Sequence, residues 1–296
     1  MYNKKNARYY HAMLLPGMIF LVIFSIVPMF GIVMAFQNFV PAKGIFGSKF
    51  VGLAQFQRLF MLPDFRQILE NTLIIALSKI LLGTLLAVVF AVLLNECKNV
   101  RYKRFIQTAV YLPHFLSWVI LAVMFSNIFS YTGIINQIIM AFGGEPVMFM
   151  ISNTWFRPII IGTDVWKEFG YNAVIYVAAM TSIDPTLYEA ADIDGAGRWK
   201  KIMNITIPGI LPTIILMGTL SIGNVLNAGF DQVFNMYSPL VYRTGDIIDT
   251  YVYREGLVNI QYSFATAVGL FKSVISFGLL ALAYKLADKF CGYRIF

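Results

Sequence analysis

Six stretches of mostly apolar residues recur along the chain, at about 13–36, 69–94, 105–129, 157–180, 208–229 and 264–286, with polar segments between them. Each reaches the roughly 20 residues an α-helix needs to cross a hydrocarbon core. The pattern therefore predicts an all-α membrane protein with six transmembrane helices. The first stretch follows Lys4, Lys5 and Arg8, as a secretory leader would, but its apolar run is too long and lacks a small-x-small cleavage site. It is read as a retained span. In the loop at 37–68, Leu53, Phe56 and Phe60 share one helical face, which predicts a short helix lying on the membrane surface. Residues 230–263, rich in Tyr, Asp and Gly, read as an ordered cap or as a mobile loop.

Composition agrees with the pattern. Of 296 residues, 58% are hydrophobic and 13% charged, against about 25% charged in an ordinary soluble chain. The net charge of +8 records topology rather than nucleic-acid binding, because its location follows the spans. Lys4, Lys5 and Arg8, then Lys98, Arg101, Lys103 and Arg104, then Arg198, Lys200 and Lys201, then Lys285, Lys289 and Arg294 fall on one side, hard against span ends. The opposite segments carry the sparser Lys43, Lys49, Arg58, Arg66, Arg157, Arg243 and Arg254. The positive-inside rule then places both termini and residues 181–207 in the cytoplasm, where Cys97 and Cys291 remain free thiols. His11 and His114 are far apart, and no metal-ligand spacing occurs. No G-x-x-x-x-G-K-[ST] loop is present, so the chain does not bind ATP by that route.

One polar segment interrupts the apolar pattern, YEAADIDGAGRWKKIMNITIP at 188–208. Asp184 followed by Pro185 predicts a helix start, an Asx N-cap with proline at the first helical position. Gly195 and Gly197 predict its end, and a second short helix, Arg198 to Asn204, leads to Pro208 at the fifth span. A helix of about ten residues is marginal alone in water and needs a partner. Ala190 and Ala191 thin one face, while Glu189, Asp192 and Asp194 offer carboxylates to a cationic surface. A connector resting on the bilayer is the alternative, but such helices carry bulky apolar residues and a basic face.

Glu189-Ala190-Ala191, three residues, Gly195, nine residues, then Ile205-Thr206-Ile207-Pro208 resembles the EAA signature of permease subunits of type I binding-protein-dependent ABC importers. Ile207 stands where that family usually has leucine. VGLAQFQRLF with Asn71-Thr72, Trp166-Lys167 with Gly170, and Asp184-Pro185-x-x-Tyr188 resemble the carbohydrate-importer branch. Asp249-Thr250-Tyr251-Val252-Tyr253-Arg254 and Tyr262-Ser263-x-Ala265-Thr266-Ala267 resemble its oligosaccharide/polysaccharide subgroup. The resemblance implies a single transmembrane domain over 1–296 with a maltose-transporter-like fold, in a bacterial plasma membrane. It implies that Tyr188, Glu189, Ala190, Ala191, Asp194, Gly195, Ala196, Arg198 and Pro208 belong to a cytoplasmic coupling helix and its exit. It also implies partners: two ABC ATPase subunits that bind the ATP and Mg, a homologous but different permease subunit, and an extracellular or periplasmic solute-binding protein.

Charges at membrane depth cost about 2.5–3.5 kcal/mol at a helix centre, so each is a candidate for function. Asp164, Lys167, Glu168 and Tyr171 lie on one arc of the fourth span, and Asp164 with Lys167, or Lys167 with a more distant group, is a candidate pair. Ser221, Asn224, Asn227 and Asp231 form a polar stripe predicted on the fifth span. With Tyr171 and Phe230 as aromatic faces, these residues are substrate-path candidates for a sugar. Internal ion pairing and interhelical hydrogen bonding are the structural alternatives. On the sixth span Thr266, Gly269 and Ser273 read as close helix packing. Lys79 is read as snorkelling, Lys272 as reaching a neighbouring carboxylate, and His114 beside Pro113 as a kink. The functional expectation is a non-enzymatic permease importing a carbohydrate, with a phosphorylated polyol or other solute open within the same class. An ion-coupled secondary transporter would bring inverted repeats and ionisable relays, and a membrane enzyme would bring a nucleophile or metal constellation. None of these is visible in the sequence.

Overall fold

The computed structural model describes residues 4–291. Arg294 lies outside the described residues, as do the side chains of Lys4, Lys5, Arg8 and Cys291. Helices dominate. The first apolar stretch is one helical run, α1 (Tyr9–Phe36), which passes through a π turn at Val22–Ile26. It leads into a two-stranded antiparallel hairpin, β1 (Gln37–Asn38) with β2 (Lys49–Phe50), in the register Gln37 to Phe50 and Asn38 to Lys49. Helix α2 (Ala54–Met61) follows. Its inward residue is Leu59, fully buried, whereas Leu53 and Phe60 of the predicted face stand largely exposed.

Contacts divide the chain into two units, residues 1–63 with 252–273, and residues 64–251 with 274–296. In the first, the amide of Phe39 donates to Ser263 Oγ at 2.8 Å and the Arg58 guanidinium sits 4.7 Å over the Phe264 ring. Phe60 and Phe271 pack edge to face at 5.4 Å.

The second unit begins with α3 (Pro63–Asn95), which has proline at its first position and Asp64 in its first turn, where the helix dipole favours a carboxylate. Asn99 caps α4 (Val100–Tyr111), its Oδ1 accepting from the amides of Arg101 and Tyr102. The expected span at 105–129 is not one helix. Pro113 lacks an N–H and Leu112–Phe115 tightens to a 3₁₀ turn, after which Leu116 and Ser117 are extended. Ser117 then caps a new helix, α5 (Trp118–Ile128), set at 101° to its predecessor. Helix α6 (Ile134–Ala141) precedes α7 (Phe156–Thr181), α8 (Pro185–Ile193) and α9 (Arg198–Gly223).

The separate short helix expected at 198–204 runs instead into the fifth apolar stretch through a π turn at Ile202–Thr206. Against the expectation of a helix to 229, α9 ends at Gly223, and Gly229 turns the chain at φ +94°. The cap region beyond is ordered: α10 (Phe230–Met236) and α11 (Ile248–Tyr253) lie in a region that buries Val233, Ile247 and Ile248 completely. The chain closes with α12 (Tyr262–Cys291), whose residues fall in both units.

By length and composition α1, α3, α9 and α12 suit membrane crossing, and α4 with α5 qualify as a bent pair. Helix α7, at 26 residues, is long enough but carries Arg157, Asp164, Lys167 and Glu168. In the second unit α3, α7 and α9 converge on a core of Ala87, Ala91, Val92, Ala173, Tyr176, Met180 and Ile210. The alanines let helix backbones approach closely, the packing available where lipid removes the hydrophobic incentive. At Gly170 a Cβ would lie 2.5 Å from the Val110 carbonyl oxygen, so α4 packs directly on the α7 backbone.

Candidate functional site: a polar cavity and an exposed capped helix

Beside that core, α3, α7 and the end of α9 enclose a cavity of about 390 Å³. Lys79 of α3 reaches across it. Its Nζ donates to the Ala228 carbonyl at 2.7 Å and to Gln232 Oε1 at 2.5 Å, and it forms an ion pair with Asp164 Oδ1 at 3.0 Å. The Lys79 side chain is only 9% exposed, so it does not snorkel but ties three elements together. Gly229 makes room for it: a Cβ there would stand 2.8 Å from Nζ. Gln232 is fully buried and donates in turn to the Ile160 carbonyl and to Thr163 Oγ1, both at 2.8 Å.

Asp164 therefore pairs with Lys79, not with Lys167. Lys167 is buried and donates to the His114 carbonyl and to Glu168 Oε1, both at 2.8 Å, with the Trp118 ring 5.6 Å away. The other oxygen of Glu168 lies 2.7 Å from His114 Nδ1, and the His114 ring stacks on Tyr171 at 3.8 Å. His114 thus sits at the chain break and fastens it to α7. A helix broken in an apolar layer leaves backbone groups unpaired, and Lys167 satisfies one of them.

Of the sequence candidates, Asp164, Glu168, Ser221, Asn224 and Asn227 come together on the cavity wall. Lys167 and Tyr171 do not line it, although they brace it from behind. Phe230 and Asp231 fall on α10, beyond the turn at Gly229, because the stripe is not one continuous helix. Phe230 stacks on Phe234 at 5.2 Å instead. The wall also holds Lys79, Thr84 and Asn172. Sequence reasoning misses Thr84 and Asn172 as wall residues, though Asn172 lies one turn along from Glu168 on the same apolar stretch.

The second feature is α8. Asp184 Oδ1 accepts from the Thr186 amide at 2.9 Å, which holds the Asp184 carboxyl below its ordinary pKa. At the far end Gly195 adopts φ +70°, its amide reaches the Asp192 carbonyl, and the Ala196 amide reaches the Ala191 carbonyl at 2.8 Å. This is a Schellman stop, in which glycine takes the left-handed position. The helix is fastened to the base of α9 by a 2.9 Å hydrogen bond between Tyr188 Oη and Thr206 Oγ1 and by an Asp192–Lys201 ion pair. No residue of α8 is buried. Glu189 is exposed with no partner among the described residues, and Leu187, Ile193 and Trp199 present apolar surface beside it. Arg198 opens α9 and Pro208 follows its π turn.

Comparisons with known proteins place this architecture. Residues 80–290 match the family described as "Binding-protein-dependent transport system inner membrane component". The polygalacturonan/rhamnogalacturonan transport system permease protein YteP of Bacillus subtilis (strain 168) is 43% identical over 284 residues, covering 96% of this chain and 88% of that protein. Protein LplB of the same organism is 41% identical over 287 residues, covering 97% and 90%. A chain in the crystal structure of a bacterial alginate ABC transporter, in complex with an alginate pentasaccharide-bound periplasmic protein, superposes with a TM-score of 0.90 at 36% identity. The match covers 98% of both chains. This chain therefore belongs to the binding-protein-dependent transport system inner membrane components: it is a multi-pass, all-α transport subunit with the type I ABC importer permease fold, not an enzyme.

Proposed function

We propose that the chain is one permease subunit of an ATP-driven importer that moves an oligosaccharide into the cell, with α8 as the helix through which separate ATPase subunits drive it. The observation that carries the coupling role is the geometry of α8. It is capped at both ends, bolted to the base of α9, and leaves Glu189, Leu187 and Ile193 without cover. A helix this short gains little from propensity alone, and its outward surface joins carboxylates to apolar side chains as docking requires. ATP and Mg belong to the ATPases in this reading, and no residue of this chain is assigned to them. The sugar character is supported by the relatives that transport polygalacturonan, rhamnogalacturonan and alginate, and by a cavity wall of amides, hydroxyls and apolar faces.

The same reading gives the chain three kinds of partner: two ATPase subunits, a homologous second permease, and an external solute-binding protein. The lysine and arginine distribution supports cytoplasmic termini and a cytoplasmic α8. Charge reversal tests the coupling. Glu189→Lys is expected to strip the ATPase subunits from the purified complex while the permease keeps its thermal midpoint. Retained ATPase with undiminished ATP-dependent uptake would remove α8 from the coupling role.

A further inference from the structure

We propose that the start of α4 is a binding site for an anionic phospholipid, with the headgroup phosphate on Lys98, Arg101 and Arg104 and an acyl chain along Phe105 and Leu112. Four cations, Lys98, Arg101, Lys103 and Arg104, fall within seven residues. None of them has a carboxylate within ion-pairing distance among the described residues. Between Glu70 and Glu145 the sequence holds one carboxylate, Glu96, and it is exposed as well. The cations that open α9 are differently situated, because Lys201 is paired with Asp192 of α8.

The helical repeat sorts the α4 side chains by face. Lys103, Ile106, Gln107 and Val110 are half-buried, and Val110 is the residue that meets the α7 backbone at Gly170. Arg101, Arg104, Phe105 and Thr108 share the opposite face and are exposed. Phe105, 70% exposed, and Leu112, 59% exposed, carry that stripe onward as apolar surface. From Arg101 to Leu112 the rise is about 16 Å at 1.5 Å per residue, which matches the roughly 15 Å of hydrocarbon in one leaflet. One face of α4 therefore offers charge at headgroup depth and apolar side chains at chain depth. Guanidinium groups engage phosphate oxygens in pairs, and clustered Lys and Arg beside the cytoplasmic end of a span attract anionic lipid. Exposed Tyr102 lies at the same level, where amphipathic rings settle. A protein is the competing occupant. Exposed Glu189 and Asp194 suit α8 to a cationic protein surface; the start of α4 has the opposite sign, so a surface shaped for α8 does not serve it.

The test titrates the purified, assembled importer with phosphatidylglycerol or phosphatidylcholine of identical chains and counts bound lipid by native mass spectrometry. Phosphatidylglycerol is expected to bind the wild type about tenfold more tightly or better. Arg101→Gln with Arg104→Gln is expected to weaken phosphatidylglycerol roughly thirtyfold, the worth of two surface cations, and to leave phosphatidylcholine unchanged. Arg101→Lys with Arg104→Lys keeps the charge and is expected to keep most of the affinity. Lys43→Gln with Lys49→Gln, which removes two exposed cations from the hairpin, is the charge-matched control and is expected to change nothing. Glycerophosphoglycerol, the headgroup without chains, is expected not to compete at equal concentration. Equal binding of the two lipids by the wild type overturns the inference without any variant. An assembled glutamine pair that keeps the wild-type preference overturns it too, as does a control that loses as much. Competition by the chainless headgroup makes this a site for free anions and overturns the lipid assignment. Loss of another subunit from the glutamine variant, with lipid binding unchanged, assigns the face to a protein and overturns it as well.

Discussion

Replacing Lys79 by methionine leaves an unbranched side chain one atom shorter and removes the charge that three acceptors share. The loss strands the Asp164 carboxylate, the Ala228 carbonyl and Gln232 Oε1 at once. Breaking a buried ion pair from one side costs about 3–5 kcal/mol. Asp164 is 21% exposed through the cavity, so water relieves part of that penalty and brings it down to about 2–3 kcal/mol. At about 2–4 °C per kcal/mol for a domain of this size, the thermal midpoint of the purified complex falls by about 5–10 °C. Asp164→Asn alone is milder, because an amide still accepts from Lys79. In Lys79→Met with Asp164→Asn no charge is stranded, and the double variant is expected to recover at least half of the loss. The assay is a thermal scan of all four proteins at one fixed rate, since unfolding of a membrane complex is a kinetic quantity. A Lys79→Met midpoint equal to the wild type would refute the tie, and strictly additive effects would refute the pairing.

Two further outcomes follow from local geometry. Gly229→Ala puts a Cβ 2.8 Å from Lys79 Nζ at φ +94°; the backbone strain alone costs about 1–2 kcal/mol, so the variant should lower the thermal midpoint, while Gly218→Ala, which meets nothing within 4 Å, should not. The Asp184 carboxyl is held below its ordinary value by the Thr186 amide. The cap therefore contributes its full stabilisation above the ordinary carboxylate pKa and loses it as pH falls through the lowered folded value. ATPase co-purification between pH 6 and 8 should not vary through this group, whereas Asp184→Ala should weaken co-purification at every pH in that range.

The parts of this fold that are legible in the sequence are those that local chemistry decides. Asp184-Pro185 and Gly195 mark both ends of α8, because an Asx cap and a left-handed glycine act within four residues of themselves. The apolar stretches locate α1, α3, α7 and α12 for the same reason, since length against a bilayer is a one-dimensional constraint. The errors arise where partners lie far apart in the chain. Lys79 and Asp164 are 85 positions apart in number, and no periodicity reveals that they meet, so spacing alone pairs Asp164 with its sequence neighbour Lys167. The polar stripe from Ser221 to Asp231 keeps helical spacing on paper, but Gly223 and Gly229 bracket a turn that separates Asp231 from the cavity. Pro113 signals a kink, but the restart at Ser117 and the 101° bend depend on Gly170 admitting Val110 and on Lys167 capturing the His114 carbonyl.

Disulfide trapping at Ile193 tests the central claim most directly. That side chain is 88% exposed at the end of α8. Ile193→Cys in a background with Cys97 and Cys291 replaced by serine, combined with single cysteines along the cleft of the ATPase subunit, gives a covalent product only if the two surfaces meet. The account predicts a permease–ATPase crosslink whose yield changes between nucleotide-free and ATP-bound complexes. Modification of the introduced thiol by an impermeant reagent added outside intact cells, with no crosslink to any ATPase position, would contradict it.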